Sequence, residues 1–391
     1  MGGGEVMLER LAGLAPLVGA HVDLGLLFGR SVPLAPALRA RFRRVGCFDF
    51  PRRLRLAEAS GLRRNHRALA GWLTGEPTRA CVSMTFATAV RGALATLGTP
   101  TALMWMCNFS VRTAGWWPTA KRSAALRCLG LSGAIAVCPS LVTRAELASL
   151  GYPDSQLRVI NNGVDLARYA PRPVSDEERQ HFRGWFRARH GVPAADLVAV
   201  CTARIDPIKN HEVLIQAVAA AGRQGVRVAL VCLGDACGDD AGYPARLLAR
   251  CEELGVRDRV LFVGRSDEVP SWLAACDVAV LASHSETASL GLIEAAAAGL
   301  PLLASNVGSA PELALAGRSG YLFSPNDAAA CARHLVELAL DARQRQALGA
   351  GARRIAERDY DSCAMDRRWV ELLTDLLARP HPSGAAKGLR S

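Results

Sequence analysis

The sequence predicts an α/β protein built from two doubly wound domains, and three observations carry that expectation. The chain is 391 residues long, more than one hydrophobic core ordinarily serves. Its second half alternates short apolar or β-branched runs with longer amphipathic stretches. Its first half repeats the alternation less regularly, and both patterns are those of strand-helix-strand units on a parallel sheet covered on both faces.

Strands are expected in the first half at 22–28, 45–50, 80–85, 102–107, 135–138 and 157–160, with helices at 6–14, 54–73, 89–97, 120–129 and 142–150. In the second half the strand candidates are 197–203, 226–233, 259–263, 278–282, 301–304 and 321–323, with helices at 212–221, 243–254 and 328–340. Between the halves, Asn161-Asn162-Gly163-Val164-Asp165 and Tyr169-Ala170-Pro171-Arg172-Pro173 supply the turn residues and prolines of a connection. The expected organisation is therefore a domain at 1–167, a second at 168–358, a helix at 359–378 packing back toward the first, and a disordered tail at 379–391 rich in Gly, Pro and Ser. A doubly wound domain ordinarily opens on a buried strand, yet Met1-Gly2-Gly3-Gly4-Glu5 leads straight into a helix. Either the true start lies upstream, or the first domain lacks its first strand.

Half the residues are apolar and 21% are charged, an ordinary globular composition. No stretch of about eighteen residues is apolar and free of charge, so a membrane-spanning helix is not expected. The best candidate, 11–29, is broken by His21 and Asp23, and Glu5, Glu9 and a single Arg precede it rather than a cationic leader. The twelve cysteines are dispersed, lie mostly in apolar runs and form no closely spaced pair, so they read as buried thiols in a reducing cytoplasm. The net charge of +11 sits in the first half: residues 1–170 hold 21 Lys and Arg against 9 Asp and Glu, and the remainder 26 against 27. Clusters such as Arg41-Phe42-Arg43-Arg44 and Arg52-Arg53-Leu54-Arg55 suit either an anionic membrane face or pyrophosphate-linked acceptor, or else are solvated helix faces. Nucleic acid is not expected as a partner, because aromatics do not interleave the basic segments.

Chemistry concentrates in two segments of the second half. Ser283-His284-Ser285-Glu286-Thr287-Ala288-Ser289-Leu290-Gly291-Leu292-Ile293-Glu294 follows a strand. On one continuous helix two carboxylates eight positions apart would stand about 80° apart, so they converge only if Glu286 lies in the loop and Glu294 in the helix. The backbone N–H groups of 287–291 would then face a diphosphate at a helix N-terminus, leaving the carboxylates to hydroxyls, Glu294 to a ribose and Glu286 to a sugar. The bland alternative is an acid favouring the helix dipole and an exposed helix Glu. In the second segment, Arg204-Ile205-Asp206-Pro207-Ile208-Lys209-Asn210-His211 runs from a strand end into a helix. Arg204 and Lys209 thus stand at the carboxyl edge of the sheet, where such folds bind ligands and where two cations can neutralise a diphosphate; surface charges at a loop are the alternative.

With Asn162-Gly163-Val164-Asp165, Gly264-Arg265-Ser266-Asp267-Glu268-Val269, Gly299-Leu300-Pro301 and 308–312, these segments occur in the order and setting of the family 4 retaining glycosyltransferases of the GT-B fold, which the chain resembles over 138–325. The resemblance implies two Rossmann-like domains facing across a cleft. It implies transfer of a hexose from a UDP- or GDP-sugar to a glycan or lipid-linked acceptor, in polysaccharide or glycolipid synthesis. Arg204 and Lys209 would hold the donor phosphates, Glu286 and the stretch Thr287, Ala288, Ser289 and Leu290 the sugar and its phosphates, and Glu294 the ribose. Val263 and Gly264 would face the base, and Gly3 and Gly4 would belong to the Gly-rich loop of the first domain. No cofactor or metal is called for, since the nucleotide sugar is a substrate. Other enzymes of the fold, an epimerase or a phosphorylase, and a non-catalytic nucleotide-sugar-binding homologue are the rivals.

Four departures stand out. Thr287 replaces a common glycine, Gly234-Asp235-Ala236 lacks a second glycine, the first strand is absent, and no His follows the strand ending Met106-Cys107-Asn108. If Cys107 or Asn108 takes that place, proton removal falls to the donor's own phosphate. His211 and His284 are equally ordinary loop residues or neighbours of the phosphates. Trp116-Trp117 either stacks on an acceptor sugar or is buried, and Asp239-Asp240 has no companion ligands for a metal.

Overall fold

The computed structural model describes residues 3–20, 23–26, 40, 42–47, 59–74, 80–84, 86–96, 101–107, 119–170, 176–237 and 240–378. The chain divides into two compact units, Met1–Ile160 with Met365–Ser391, and Asn161–Ala364. The divisions fall at 160/161 and 364/365 rather than after 167 and 358.

In the first unit the helix Gly3–Leu14 comes first, and Gly3 and Gly4 are its opening residues. Strands β1 (Leu24–Leu26) and β2 (Val45–Cys47) pair in parallel as a separate ribbon. Strands β3 (Ala80–Ser83), β4 (Ala102–Met106), β5 (Ile135–Cys138) and β6 (Leu157–Val159) form a parallel sheet in that order. Successive residues of β4 face opposite ways, as a pleated strand requires. Leu103 and Trp105 pack with Leu126, Leu129 and Leu147 on one face. Met104 and Met106 pack on the other with Met7, Leu11 and Leu14, and with Met365, Trp369, Leu372 and Leu376 of the helix Ser362–Ala378. Cys107 is buried completely; Asn108, Trp116, Trp117, Asp239 and the tail 379–391 lie outside the described residues.

The second unit holds β7 (Leu197–Thr202), β8 (Val228–Leu233), β9 (Val260–Gly264), β10 (Val278–Leu281), β11 (Leu302–Ser305) and β12 (Gly320–Phe323). Their order is β9-β8-β7-β10-β11-β12, all parallel. In order along the chain that is third, second, first, fourth, fifth, sixth, the Rossmann arrangement, in which the direction of winding reverses between the first and fourth strands. Every residue of β8, β10 and β11 is buried; these runs are Val, Leu, Ala and Cys except for Ser305, whose hydroxyl donates to the Ser283 carbonyl at 2.7 Å. Three of its helices show how the unit is fastened. Asp176–Arg189 is fastened by Arg183 and Arg187, which both bond the Asp277 carboxylate at 3.0 and 2.8 Å. Val269–Ala275 carries Trp272 edge-on against Phe186 at 5.0 Å. Ala342–Asp359 packs its Gly349 so closely that an added Cβ would stand 2.1 Å from the Gly299 oxygen.

Candidate active site

The reversal between β7 and β10 opens a gap at the carboxyl edge, and the two segments singled out in the sequence emerge on its two sides. After β7 the backbone bridges Ile205 to Ala236, then makes a single 3-10 turn, Pro207–Lys209. Proline fits the first position of that turn, where no N–H is needed. The Asp206 carboxylate caps it, accepting the Ile208 N–H at 2.9 Å. Asn210 follows at φ 53°, a left-handed conformation that asparagine tolerates; it is buried, and its side-chain amide donates to the Pro325 carbonyl at 2.8 Å. The turn therefore presents Lys209 from a rigid base.

After β10 the loop runs to Ser289, whose side chain caps the helix Leu290–Ala297 by accepting the Leu292 N–H at 3.4 Å. Glu286 is thus in the loop and Glu294 in the helix. The two loops are tied directly, because the His284 N–H donates to the Ile208 carbonyl at 2.8 Å. The Lys209 ammonium donates to Oε1 of Glu286, and the Ser283 hydroxyl donates to the same oxygen at 2.8 Å. Only 15% of the Lys209 side chain and 10% of the Glu286 side chain is exposed. Arg204, on the same turn, is 52% exposed and lies 3.8 Å from the Asp206 carboxylate, with its guanidinium donating to the Cys237 sulfur at 3.5 Å.

Two glycines admit this packing. A Cβ on Gly291 would lie 2.2 Å from the Thr202 carbonyl oxygen at the end of β7. Gly308 adopts φ 53°, and a Cβ there would meet the carbonyl oxygen, carbonyl carbon and Cβ of Glu286 at 2.5, 2.6 and 2.8 Å. Thr287 and Ser289 are buried, and Ala288 and Leu290 half-buried, along the helix entrance, where the first N–H groups have no carbonyl within the helix.

Val263 and Gly264 lie on the same edge at the end of β9, two strands from β7, which is about 10 Å at the usual strand spacing. A bulge between β8 and β9 falls there, with Leu233 pairing Gly264 and Val263 skipped, and bulges re-aim the side chains beside them. Gly264 takes φ 77°, and its carbonyl accepts the Gly234 N–H at 2.8 Å. Gly3 and Gly4 belong to the other unit. His284 is exposed, whereas His211 is entirely buried, its Nε2 3.8 Å from the Cys201 thiol and its Nδ1 without a hydrogen-bond partner among the described residues. Burial, helped by the Lys209 charge, pushes His211 down to about 4, so it is a neutral core residue. Among the described residues no three His, Cys, Asp or Glu side chains cluster as metal ligands do.

Glu294 is held differently from Glu286. The Tyr169 hydroxyl donates to its Oε1 at 2.8 Å, a partner 125 positions away in sequence. Burial raises the Glu294 carboxyl above its ordinary range, and the Tyr169 hydroxyl and the Arg168 charge oppose that rise only in part. A carboxyl raised by folding contributes stability that is complete below its unfolded value and is lost as pH climbs through the folded one. Glu294→Gln is therefore expected to melt at a higher temperature than the natural chain at pH 7, the gain shrinking to nothing toward pH 4. Thermal unfolding followed by circular dichroism at both pH values checks the sign.

Over 95% of its length the chain superposes on the Anabaena protein HepE in complex with UDP and glucose, with a TM-score of 0.76 at 22% identity, covering 96% of that chain. A glycosyltransferase from Rickettsia africae gives a TM-score of 0.76 at 17% identity, covering 96% of this chain and 95% of that one. The fold is thus GT-B, with two Rossmann-like domains. Residues 183–355, the greater part of the second unit, match the model of the glycosyl transferases group 1. A D-inositol 3-phosphate glycosyltransferase from Thermobispora bispora is 32% identical over 280 residues, 68% of this chain and 63% of that protein. A GDP-mannose-dependent alpha-(1-6)-phosphatidylinositol monomannoside mannosyltransferase from Mycolicibacterium smegmatis is 29% identical over 66% of this chain and 67% of its own length. The chain spans 43% and 52% of two Streptomyces D-inositol 3-phosphate glycosyltransferases. Among the described residues no helix is long and apolar enough to cross a membrane.

Proposed function

We propose that the protein is a retaining glycosyltransferase that moves a hexose from a UDP- or GDP-sugar to a glycan or lipid-linked acceptor. The observation that carries this reading is the pairing of Lys209 with Glu286 across the strand reversal. An ammonium and a carboxylate held side by side suit a ligand that brings an anion and hydroxyls together. Lys209 and Arg204 take the diphosphate, Glu286 takes the sugar hydroxyls, and the helix entrance at 287–290 adds its N–H groups to the phosphate. As the bond from the anomeric carbon to the diphosphate oxygen breaks, the two cations offset the charge that develops on the leaving group. A phosphate oxygen on the departing side accepts the proton of the incoming hydroxyl, and attack on that same face retains configuration. The cations supply the charge that a metal would otherwise bring. Val263 and Gly264 receive the base, and Glu294 the ribose. The basic first half suits an anionic membrane face or a pyrophosphate-linked acceptor.

A thermal-shift panel of UDP-, GDP-, ADP- and CMP-sugars tests the donor. A UDP- or GDP-sugar at a hundred times its dissociation constant should stabilise the fold by about 2.7 kcal/mol. No shift with any of them would remove the basis of the proposal.

A further inference from the structure

Glu294 lies on the Rossmann helix Leu290–Ala297, but what holds its carboxylate comes from elsewhere. Tyr169 belongs to the segment that enters the second unit before its sheet begins, and that segment is fixed at several points. The Val164 N–H donates to the Tyr360 carbonyl at 2.9 Å and the Ser362 N–H donates to the Val164 carbonyl at 3.0 Å. The Asp165 carboxylate then accepts the N–H groups of Ala167 and Arg168 at 3.0 and 3.3 Å. The Tyr169 ring that follows is buried, 7% exposed, with the Arg168 guanidinium 5.7 Å from its centre. A phenylalanine would fill the same apolar space, so the hydroxyl is the part of this residue that reaches beyond packing. It reaches Glu294.

We propose that Tyr169 is a positioning residue for nucleotide recognition: its hydroxyl fixes the rotation of the Glu294 carboxylate so that the remaining lone pairs accept the vicinal 2′- and 3′-hydroxyls of a nucleoside diphosphate. This rests on the reading of Glu294 as the ribose-facing group. A carboxylate has about four acceptor positions, and Tyr169 occupies one, on Oε1. A glutamate otherwise turns freely about its outer bonds and must be ordered when ligand binds, at a cost of about 0.5–1.5 kcal/mol for a side chain of this kind. The hydroxyl does the ordering in advance. It also favours the ionised form that accepts from both hydroxyls, against the burial that favours the protonated one.

The test is calorimetric binding of UDP and GDP, and of their 2′,3′-dideoxy analogues, to the full chain, to Tyr169→Phe, to Glu294→Ala and to the double variant. With whichever nucleotide the natural chain binds, Tyr169→Phe should weaken binding about two- to tenfold, the equivalent of that ordering cost. The dideoxy analogue should bind Tyr169→Phe and the natural chain alike, and Tyr169→Phe should cost nothing further in the Glu294→Ala background. Equal losses for both analogues, additive losses in the double variant, or unchanged affinity in Tyr169→Phe would each overturn the inference. Should Glu294→Ala fail to fold, Glu294→Leu, which also removes both acceptor oxygens, closes the cycle with the same expectations. Failure of the natural chain to bind either nucleotide is a separate outcome, and it removes the donor-site reading and this inference with it.

Discussion

Lys209→Met is expected to lower sugar transfer by about two to three orders of magnitude, the range seen when one preorganised charge-stabilising donor is removed. Methionine keeps most of the stem's volume and takes away only the charge. Reversal to glutamate is a poorer test, because it would set a second carboxylate against Glu286 in a place where only 10% of that side chain is exposed. Even the neutral change takes from Glu286 its charged donor, leaving the Ser283 hydroxyl on the same oxygen in a half-dry setting, at a cost of about 1–3 kcal/mol. The double variant Lys209→Met, Glu286→Gln should recover that stability without recovering turnover. Steady-state kinetics beside chemical denaturation separates the two effects. A double variant that regained activity would mean that Lys209 serves only to satisfy Glu286.

Gly308→Ala should be nearly as damaging, although residue 308 carries no chemistry. Its left-handed φ of 53° costs any residue with a Cβ about 1–2 kcal/mol. The new methyl would also stand 2.5 Å from the Glu286 carbonyl oxygen, and relieving that overlap costs about 1–3 kcal/mol more. The sum is about 2–5 kcal/mol of stability. The relief comes from moving the loop that aims Glu286, and a displacement of about 1 Å can lower turnover about a hundredfold. Gly317→Ala is the control, since Gly317 has φ 68° with nothing within 4 Å of an added Cβ. It should lose only the conformational part of the stability, with turnover intact. Equal activity in the two variants would break the link between Gly308 and the placement of Glu286.

The sheet of the second unit was legible almost to the residue because fully buried parallel strands are written as continuous apolar runs. Leu197–Thr202 and Val278–Leu281 each differ from expectation by a single residue at one end. The helix Asp176–Arg189 was not legible. Its apolar stripe is little more than Phe182 and Phe186 among charges, and it stands because Asp277, about ninety positions on, anchors two of its arginines. The same contrast runs through the candidate site. Arg204, Lys209, Glu286 and Glu294 announce themselves by type and position at a strand end or helix entrance. Ser283, three residues from Glu286 in an ordinary loop, and Tyr169, in a connection rich in turn residues, gain their meaning only from the partners that folding brings to them. Gly291 and Gly308 are similar, because a close approach between backbones leaves no periodic mark. His211 could be read two ways, and burial decided for the core.

The short parallel bridge between Val164 and Asp361, flanked by the Val164–Tyr360 and Ser362–Val164 hydrogen bonds, places the two ends of the second unit side by side. The unit is thereby a loop closed on itself, with its entrance zipped to its exit. Such a segment lends itself to circular permutation: a short linker joining the old ends, and new termini opened at an exposed turn such as the one around Gly225, would preserve every strand neighbour in the sheet. Nature has the same freedom, since a unit whose ends meet can be set into another chain as a single insertion, carrying Lys209, Glu286, Glu294 and Tyr169 with it intact.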